Sequence, residues 1–296
     1  MTQISGPWTV RRLLEWTSGF FTRKEVDAPR LAAELLLAHV LHVPRLKLYT
    51  DYERPLSEKE LTSFRALVQR AGEHEPIAYL TGRAHFFNLE FEVSPAVLIP
   101  RPDTETLVEN VLQLARNTAG FESPRVLDLC TGSGCIAAAI AHHLKSATVI
   151  ATDLSADAVA VARKNIERLG LSDRVTVEQG DLFEPIASLP DPQPFNLIVA
   201  NPPYIPTGEI EKLDRNVRDY EPVAALDGGI DGLVLHRRIF EGAVDRLVSG
   251  GRIYVEIQFD QGATVKEIAE SHAEFEDVRL LKDYAGHQRV LTARRK

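Results

Sequence analysis

From residue 8 to about 75 the apolar positions recur at helical spacing, and no alternating run interrupts them. In 27–43, Leu31, Leu35, Ala38 and Leu41 form one stripe, Asp27 stands at the expected N-cap, and Pro29 falls in the first turn. In 57–74, Leu61, Phe64, Leu67 and Val68 share a face behind a capping box of Ser57 and Glu60. A small helical bundle is predicted. The period then drops to two: Phe87, Leu89, Phe91 and Val93 alternate with polar residues, which predicts a short β-hairpin linking two domains. Asp103 or Thr104 is expected to cap a helix that runs to about residue 117.

From residue 125 the pattern alternates strand and helix. Strands are predicted at "RVLDLC", "ATVIATD", "VTVEQGD", "FNLIVA" and "GRIYVEI". Helices are predicted at "GCIAAAIAHHL", "SADAVAVARKNIERLG", "LVLHRRIFEGAVDRLV" and "GATVKEIAESH", and "DVRLLKDYAG" with "QRVLTARR" closes as an antiparallel pair. This is the signature of an α/β fold, a doubly wound sheet ending in a hairpin.

Two loops carry the candidate chemistry. In "LDLCTGSGCIA", Asp128 ends a strand, and Gly132 and Gly134 lie in the turn before a helix. Such a turn lets a ligand approach the backbone and aims free N–H groups at an anion. Asp153 ends the next strand and suits a pair of ribose hydroxyls. The spacing fits a dinucleotide and S-adenosylmethionine equally; in the second reading Asp128 lies near the methionine ammonium. The other loop, "ANPPYI", follows a buried strand that its two prolines cannot continue. It offers the Asn201 amide oxygen, the Pro202 carbonyl held rigid by Pro203, and the Tyr204 ring. Two fixed acceptors beside an aromatic face suit a planar –NH2 group conjugated to a π system, with its lone pair aimed at an electrophilic methyl.

Composition narrows the class. The 296 residues, 44% hydrophobic and 26% charged, suit a globular chain of about two domains. The net charge of −8 argues against duplex nucleic acid as a partner. The two cysteines, Cys130 and Cys135, have no zinc or disulfide spacing, so no metal site is expected and a reducing cytoplasm fits. "MTQISGPWTVRRLLEW" has no secretory pattern, and no apolar run is long enough to span a membrane. His39 and His42 are read as surface or packing residues, and Arg101 and Glu105 as either structural or partner-contacting.

Taken together, "PIAYLTGRAHFFNLEFEVSPAVLIPRPDTE", "VLDLCTGSGCIA", "IATD", "QGDLFEP", "NPPYI", "EPVAALDGGIDGL" and "DYAGHQRVLTAR" resemble the protein-(glutamine-N5) methyltransferases of peptide chain release factors. The resemblance covers nearly the whole chain. It implies a class I, Rossmann-like S-adenosylmethionine-dependent methyltransferase domain over 101–296, a linking hairpin over 81–100, and a helical release-factor-binding domain over 1–80. By position it implies that Asp128, Cys130, Thr131, Gly132, Ser133, Gly134, Asp153, Asp181, Leu182 and Asn201 hold S-adenosylmethionine. Asn201, Pro202, Pro203 and Tyr204 would hold the glutamine of a Gly-Gly-Gln motif in a release factor. A cytoplasmic monomer acting in translation termination, with no nucleic-acid or membrane partner, is the resulting expectation. Because adenine and guanine amino-methyltransferases share the four-residue loop, an exocyclic amine of nucleic acid is the alternative acceptor. The chain departs from the family pattern at two positions where glycine is common: Gln258 after "EI", with the family's later glutamine matching Gln261, and Cys130, which is compatible with ordinary backbone angles only.

Overall fold

The computed structural model describes residues 7–187 and 193–296; the first six residues of the stretch read as lacking a secretory pattern lie outside them. The chain forms two compact units, Met1–Arg83 with Asp214–Tyr220, and Ala84–Leu213 with Glu221–Lys296.

The first unit is helical: α1 (Val10–Arg23), α2 (Pro29–Leu41), α3 (Lys47–Thr50), α4 (Glu58–Ala71) and α5 (Ile77–Thr81). In α4 both hydrogen bonds of the Ser57–Glu60 capping box form, and Leu61, Phe64 and Val68 are buried. Two expectations for α2 are corrected. Its N-cap is Ala28, at φ 41°, and no side chain caps it, so Asp27 has no capping role. The proline that follows Ala28 excludes it from the helical region. The buried face is Ala32, Ala33, Leu36, Leu37 and, from the expected stripe, Ala38, whereas Leu31 and Leu35 are 42% and 36% exposed. This segment is apolar nearly all round, so its spacing admits two stripes and packing selects one. Glu34 is buried, and Arg30, Arg45 and Tyr49 donate to its carboxylate.

In the second unit, β1 (Arg83–Phe86) and β2 (Leu89–Glu92) make the expected hairpin. Phe87 and Asn88 form its two-residue turn at φ 48° and 62°, the left-handed pair that matches strand twist. Phe87 is therefore in the turn, and the buried side belongs to Phe86, Leu89, Phe91 and Val93. Glu105 accepts from the Phe87 N–H at 2.7 Å and pins that turn.

The rest runs α6 (Glu105–Asn117), β3 (Arg125–Leu129), α7 (Cys135–His143), β4 (Thr148–Asp153), α8 (Ala156–Arg168), β5 (Val175–Gln179), α9 (Glu184–Ala187) and β6 (Phe195–Ala200). After α10 (Arg215–Arg218), which belongs to the first unit, come α11 (Val234–Val244), β7 (Leu247–Glu256), α12 (Gly262–Glu270), β8 (Phe275–Lys282) and β9 (Gln288–Arg295). The seven-stranded sheet has the order β5-β4-β3-β6-β7-β9-β8. Strands β5 to β7 pair in parallel, and β9 is antiparallel to both β7 and β8. This is the doubly wound sheet with the terminal hairpin read from the sequence. Helix α11 stops earlier than its pattern suggested, because Leu247 already pairs with Phe195 of β6. The order reverses between β3 and β6, and the crevice beyond the carboxyl ends at such a switch point is where open α/β sheets bind ligands.

Candidate active site

The Gly-rich turn leaves β3 and enters α7 through Gly134, an N-cap at φ 79° with no capping side chain. An added Cβ there would meet Ala162 Cβ at 3.2 Å, so glycine also lets α8 pack close. Asn165 of α8 fixes the turn from behind. It donates to the carbonyls of Ser133 and Glu92 at 2.9 Å each and accepts from the Glu92 N–H at 2.7 Å, joining the turn to the hairpin.

A cavity of about 400 Å³ opens at this switch point. Its wall includes Cys130, Thr131, Gly132, Ser133, Asp153, Asp181, Leu182, Asn201 and Pro203, so the structure brings together most residues singled out in the sequence. Asp128, Gly134, Pro202 and Tyr204 are not among the wall residues. Asp128 is fully buried behind the turn, where its Oδ2 accepts from the Thr131 hydroxyl at 2.6 Å and the Ala137 N–H at 3.1 Å. Burial pushes its pKa up to about 7. Pro202 is buried, and Tyr204 is partly buried.

Asp153 accepts from the Gly132 N–H at 2.8 Å through Oδ2 and from the Ser155 N–H at 3.0 Å through Oδ1. Each oxygen keeps a second lone pair for a ligand hydroxyl. Asp181 accepts from Arg238 at 2.8 Å, and the Leu182 carbonyl accepts from the Thr152 hydroxyl at 2.9 Å. A diol acceptor, the N-terminus of α7 behind its glycine N-cap and an apolar wall of Ala96, Val97, Leu98 and Leu154 together fit a nucleoside carrying an amino-acid tail.

Residues 12–82 match the family model described as PrmC N-terminal domain, and residues 103–214 match the methyltransferase small domain. A release factor glutamine methyltransferase from Rhodopirellula baltica is 43% identical over 292 residues, covering 98% of both chains. One from Geobacter sulfurreducens is 43% identical over 294 residues, covering 99% of both. The chain belongs to the release factor glutamine methyltransferase family. The solved structure of a methyltransferase from Pyrococcus furiosus, 21% identical with a TM-score of 0.50 over 78% of this chain and 97% of that one, shares its fold.

Several residues beside the loop were not assigned to the site from the sequence. Asp103 or Thr104 was expected to cap α6; Thr104 is the N-cap residue, but its hydroxyl makes no cap hydrogen bond and instead accepts from Asn201 Nδ2 at 3.2 Å. Glu256, at the end of β7, is buried, and its Oε1 accepts from the Tyr204 hydroxyl at 3.3 Å. A carboxylate at the carboxyl end of a strand beside β6 was the available clue. Gln261 donates to the Tyr204 carbonyl at 2.8 Å and accepts from the Gln258 N–H at 3.1 Å, so it clamps the end of the loop. Gln258 is not at positive φ, which explains why a side chain is accepted in place of the family's glycine. Arg101 forms an ion pair with the buried Glu221, and Glu221 also accepts from the Ile99 N–H at 3.2 Å. Arg101 thus holds the segment that walls the cavity, whereas Glu105 holds the hairpin turn.

Cys130 departs from expectation: its φ is 58°, not an ordinary angle. The left-handed conformation costs a residue with a Cβ about 1–2 kcal/mol. Cys130→Gly relieves that strain and loses about 0.5–1 kcal/mol to chain entropy. The expected net gain is about 1 kcal/mol, or a rise of about 2–4 °C in thermal midpoint. A lower midpoint in a melting experiment would show that packing of the thiol outweighs the strain.

Proposed function

We propose that this chain transfers the methyl group of S-adenosylmethionine to the side-chain amide nitrogen of the glutamine in the Gly-Gly-Gln motif of peptide chain release factors. The observation that carries this reading is the near-full-length likeness to release factor glutamine methyltransferases, 43% identity over 98% of both chains. The chemistry of the cavity agrees with it. Asn201 and Pro203 share a wall with Asp153 and the Gly-rich turn, so an acceptor loop adjoins a nucleoside site. The helical residues 1–80 are assigned to gripping the release factor, 81–100 to the link and 101–296 to methyl transfer. The enzyme is taken to act as a cytoplasmic monomer without nucleic acid; among the described residues no helix is long and apolar enough to cross a membrane.

The cofactor, when bound, supplies an electrophilic methyl on a sulfonium. In the assigned roles, Ser133 and the N-terminus of α7 take its carboxylate, Asp153 its ribose, and Asp181 with Leu182 its adenine. Asn201 Nδ2 is committed to Thr104, so Oδ1 is the atom left to accept from the substrate –NH2. The Pro202 carbonyl takes the second N–H, and Tyr204 supports the plane from below. Amide resonance is strong, as the rotation barrier of ~18–20 kcal/mol shows. Two hydrogen bonds of ~1–3 kcal/mol each only bias the nitrogen toward pyramidal geometry. Orientation for in-line attack, worth up to ~7–11 kcal/mol, supplies the larger part. The nitrogen proton becomes acidic on alkylation, so no strong base is needed.

Asp153→Ala removes the acceptor for two hydroxyls, each worth ~1.5–3 kcal/mol to a charged partner. S-adenosylmethionine is therefore expected to bind about 10²- to 10⁴-fold more weakly by calorimetry; an unchanged Kd would remove Asp153 from the site. The function is tested with methyl-labelled cofactor and a folded release factor. Label is expected on the wild-type factor and not on its Gln-to-Ala variant. Label on rRNA or DNA in preference to protein would overturn the assignment.

A further inference from the structure

Asn201 meets the cavity with an amide whose two ends are nearly alike in shape and opposite in hydrogen bonding. One must be chosen, because only the oxygen can accept from a substrate –NH2. The choice is made at Thr104, a buried residue of the same wall. Asn201 Nδ2 donates to Thr104 Oγ1 at 3.2 Å, and Thr104 is 2% exposed. A hydroxyl that accepts from Asn201 must send its own proton elsewhere. Glu256 is a carboxyl whose charged form the Thr104 hydroxyl stabilises, and its Oε1 accepts from the Tyr204 hydroxyl at 3.3 Å. Glu256 is 1% exposed, and its Oε2 has no hydrogen-bond partner among the described residues.

We infer that Glu256, acting through Thr104, sets which end of the Asn201 amide faces the cavity, and is a positioning residue for the methyl acceptor. The inference rests on the glutamine-methylation reading. An ionised carboxylate only accepts, so Glu256 holds the Tyr204 hydroxyl as a donor and draws the Thr104 proton toward its unfilled Oε2, and Thr104 then offers a lone pair to the Asn201 –NH2. One residue thus orients both the acceptor amide and the aromatic platform. A protonated Glu256 donates instead. The Thr104 proton is then free to turn toward Asn201, the amide rotates, and its –NH2 opposes the substrate's.

The surroundings keep that balance close to neutral pH. Burial pushes Glu256 up to about 7, while the Thr104 and Tyr204 hydroxyls and the Arg289 guanidinium on β9 pull it down. Asp103, before α6, opposes them and itself pairs with Arg289 at 2.9 Å. On α11, His236 contacts only the Glu256 backbone carbonyl, at 3.0 Å, and burial lowers its pKa to about 4, so it stays neutral here. On α7, the Cys135 thiol is pushed up to about 12 and also carries no charge. The competent, ionised form of Glu256 prevails above about pH 7 and is lost below it.

The test compares wild type, Glu256→Gln, Thr104→Val and the double variant, with labelled cofactor and a release factor. Glu256→Gln can donate and so scrambles the relay. Its kcat is expected to fall about 10- to 100-fold, as for partners that orient a functional side chain. Calorimetric Kd for S-adenosylmethionine should stay within about twofold, and the acid limb of the kcat–pH profile should flatten. Thr104→Val should lose a similar factor, and the double variant no more than the worse single one, because the two residues act as one unit. Wild-type-like kcat in Glu256→Gln, a persisting acid limb, or losses that multiply in the double variant would overturn the inference while leaving the substrate reading intact. If wild type leaves the factor unlabelled, both fall. Should Glu256→Gln not fold, Thr104→Val with its pH profile decides the matter.

Discussion

Asn201→Ala is expected to lower kcat for release-factor methylation by about 10²–10³-fold, the usual cost of deleting one preorganised hydrogen-bonding group at a reacting centre. Asn201 lines the cavity, with Nδ2 held by Thr104 and Oδ1 left for the acceptor. Alanine removes that acceptor and releases Thr104. The backbone is held independently: the Tyr204 carbonyl accepts from Gln261, and the two prolines fix the turn. Cofactor affinity should therefore change by only a few fold. Single-turnover labelling with calorimetry separates the two effects. A large loss of S-adenosylmethionine affinity with normal single-turnover chemistry would move Asn201 to the cofactor side of the reaction.

Gly232→Ala is the second change with a large expected effect, and it acts through the backbone. Gly232 sits at φ 75°, and an added Cβ would lie 2.3 Å from the Tyr204 carbonyl oxygen and 2.8 Å from Gln261 Nε2. Those two atoms form the hydrogen bond that closes the acceptor loop. The following residues cannot retreat easily, since Ile205 donates to Leu226 at 3.0 Å and accepts from Gly228 at 2.8 Å. Left-handed strain of about 1–2 kcal/mol adds to the clash. A loss of about 3–4 kcal/mol is expected, in the range reserved for backbone strain and broken buried contacts. Turnover should fall by at least about 100-fold as Tyr204 shifts. Urea unfolding measured beside kcat checks this, with Gly208→Ala as the control, because a Cβ there meets nothing within 4 Å. Equal midpoints for the two variants would show that the loop tolerates displacement.

Much of this architecture is legible in local pattern. The capping box at Ser57 and the strand–helix alternation after residue 125 depend on residues close in sequence, and the structure has both. Where the pattern is degenerate it misleads. Helix α2 is apolar on more than one side, so Leu31 and Leu35 were indistinguishable from Leu36 and Leu37 until the bundle packed. Phe87 continued an alternation that the tight turn at Phe87 and Asn88 cuts short.

The candidate site divides in the same way. The turn Cys130–Gly134, Asp153 and the loop Asn201–Tyr204 were visible because each combines unusual residues at a strand end, and strand ends at a switch point converge. Their resemblance to one family named the acceptor. The sequence could not show that Asp128 lies behind the turn, that Cys130 is left-handed, or that Thr104, Glu256 and Gln261 support Asn201 and Tyr204. Thr104 and Asn201 are 97 residues apart, and Tyr204 and Glu256 are 52 apart. Which residues are candidates for the site follows from short motifs, because turn chemistry is local. How those groups are held and which way they face follows only from contacts between distant strand ends, which folding alone brings together.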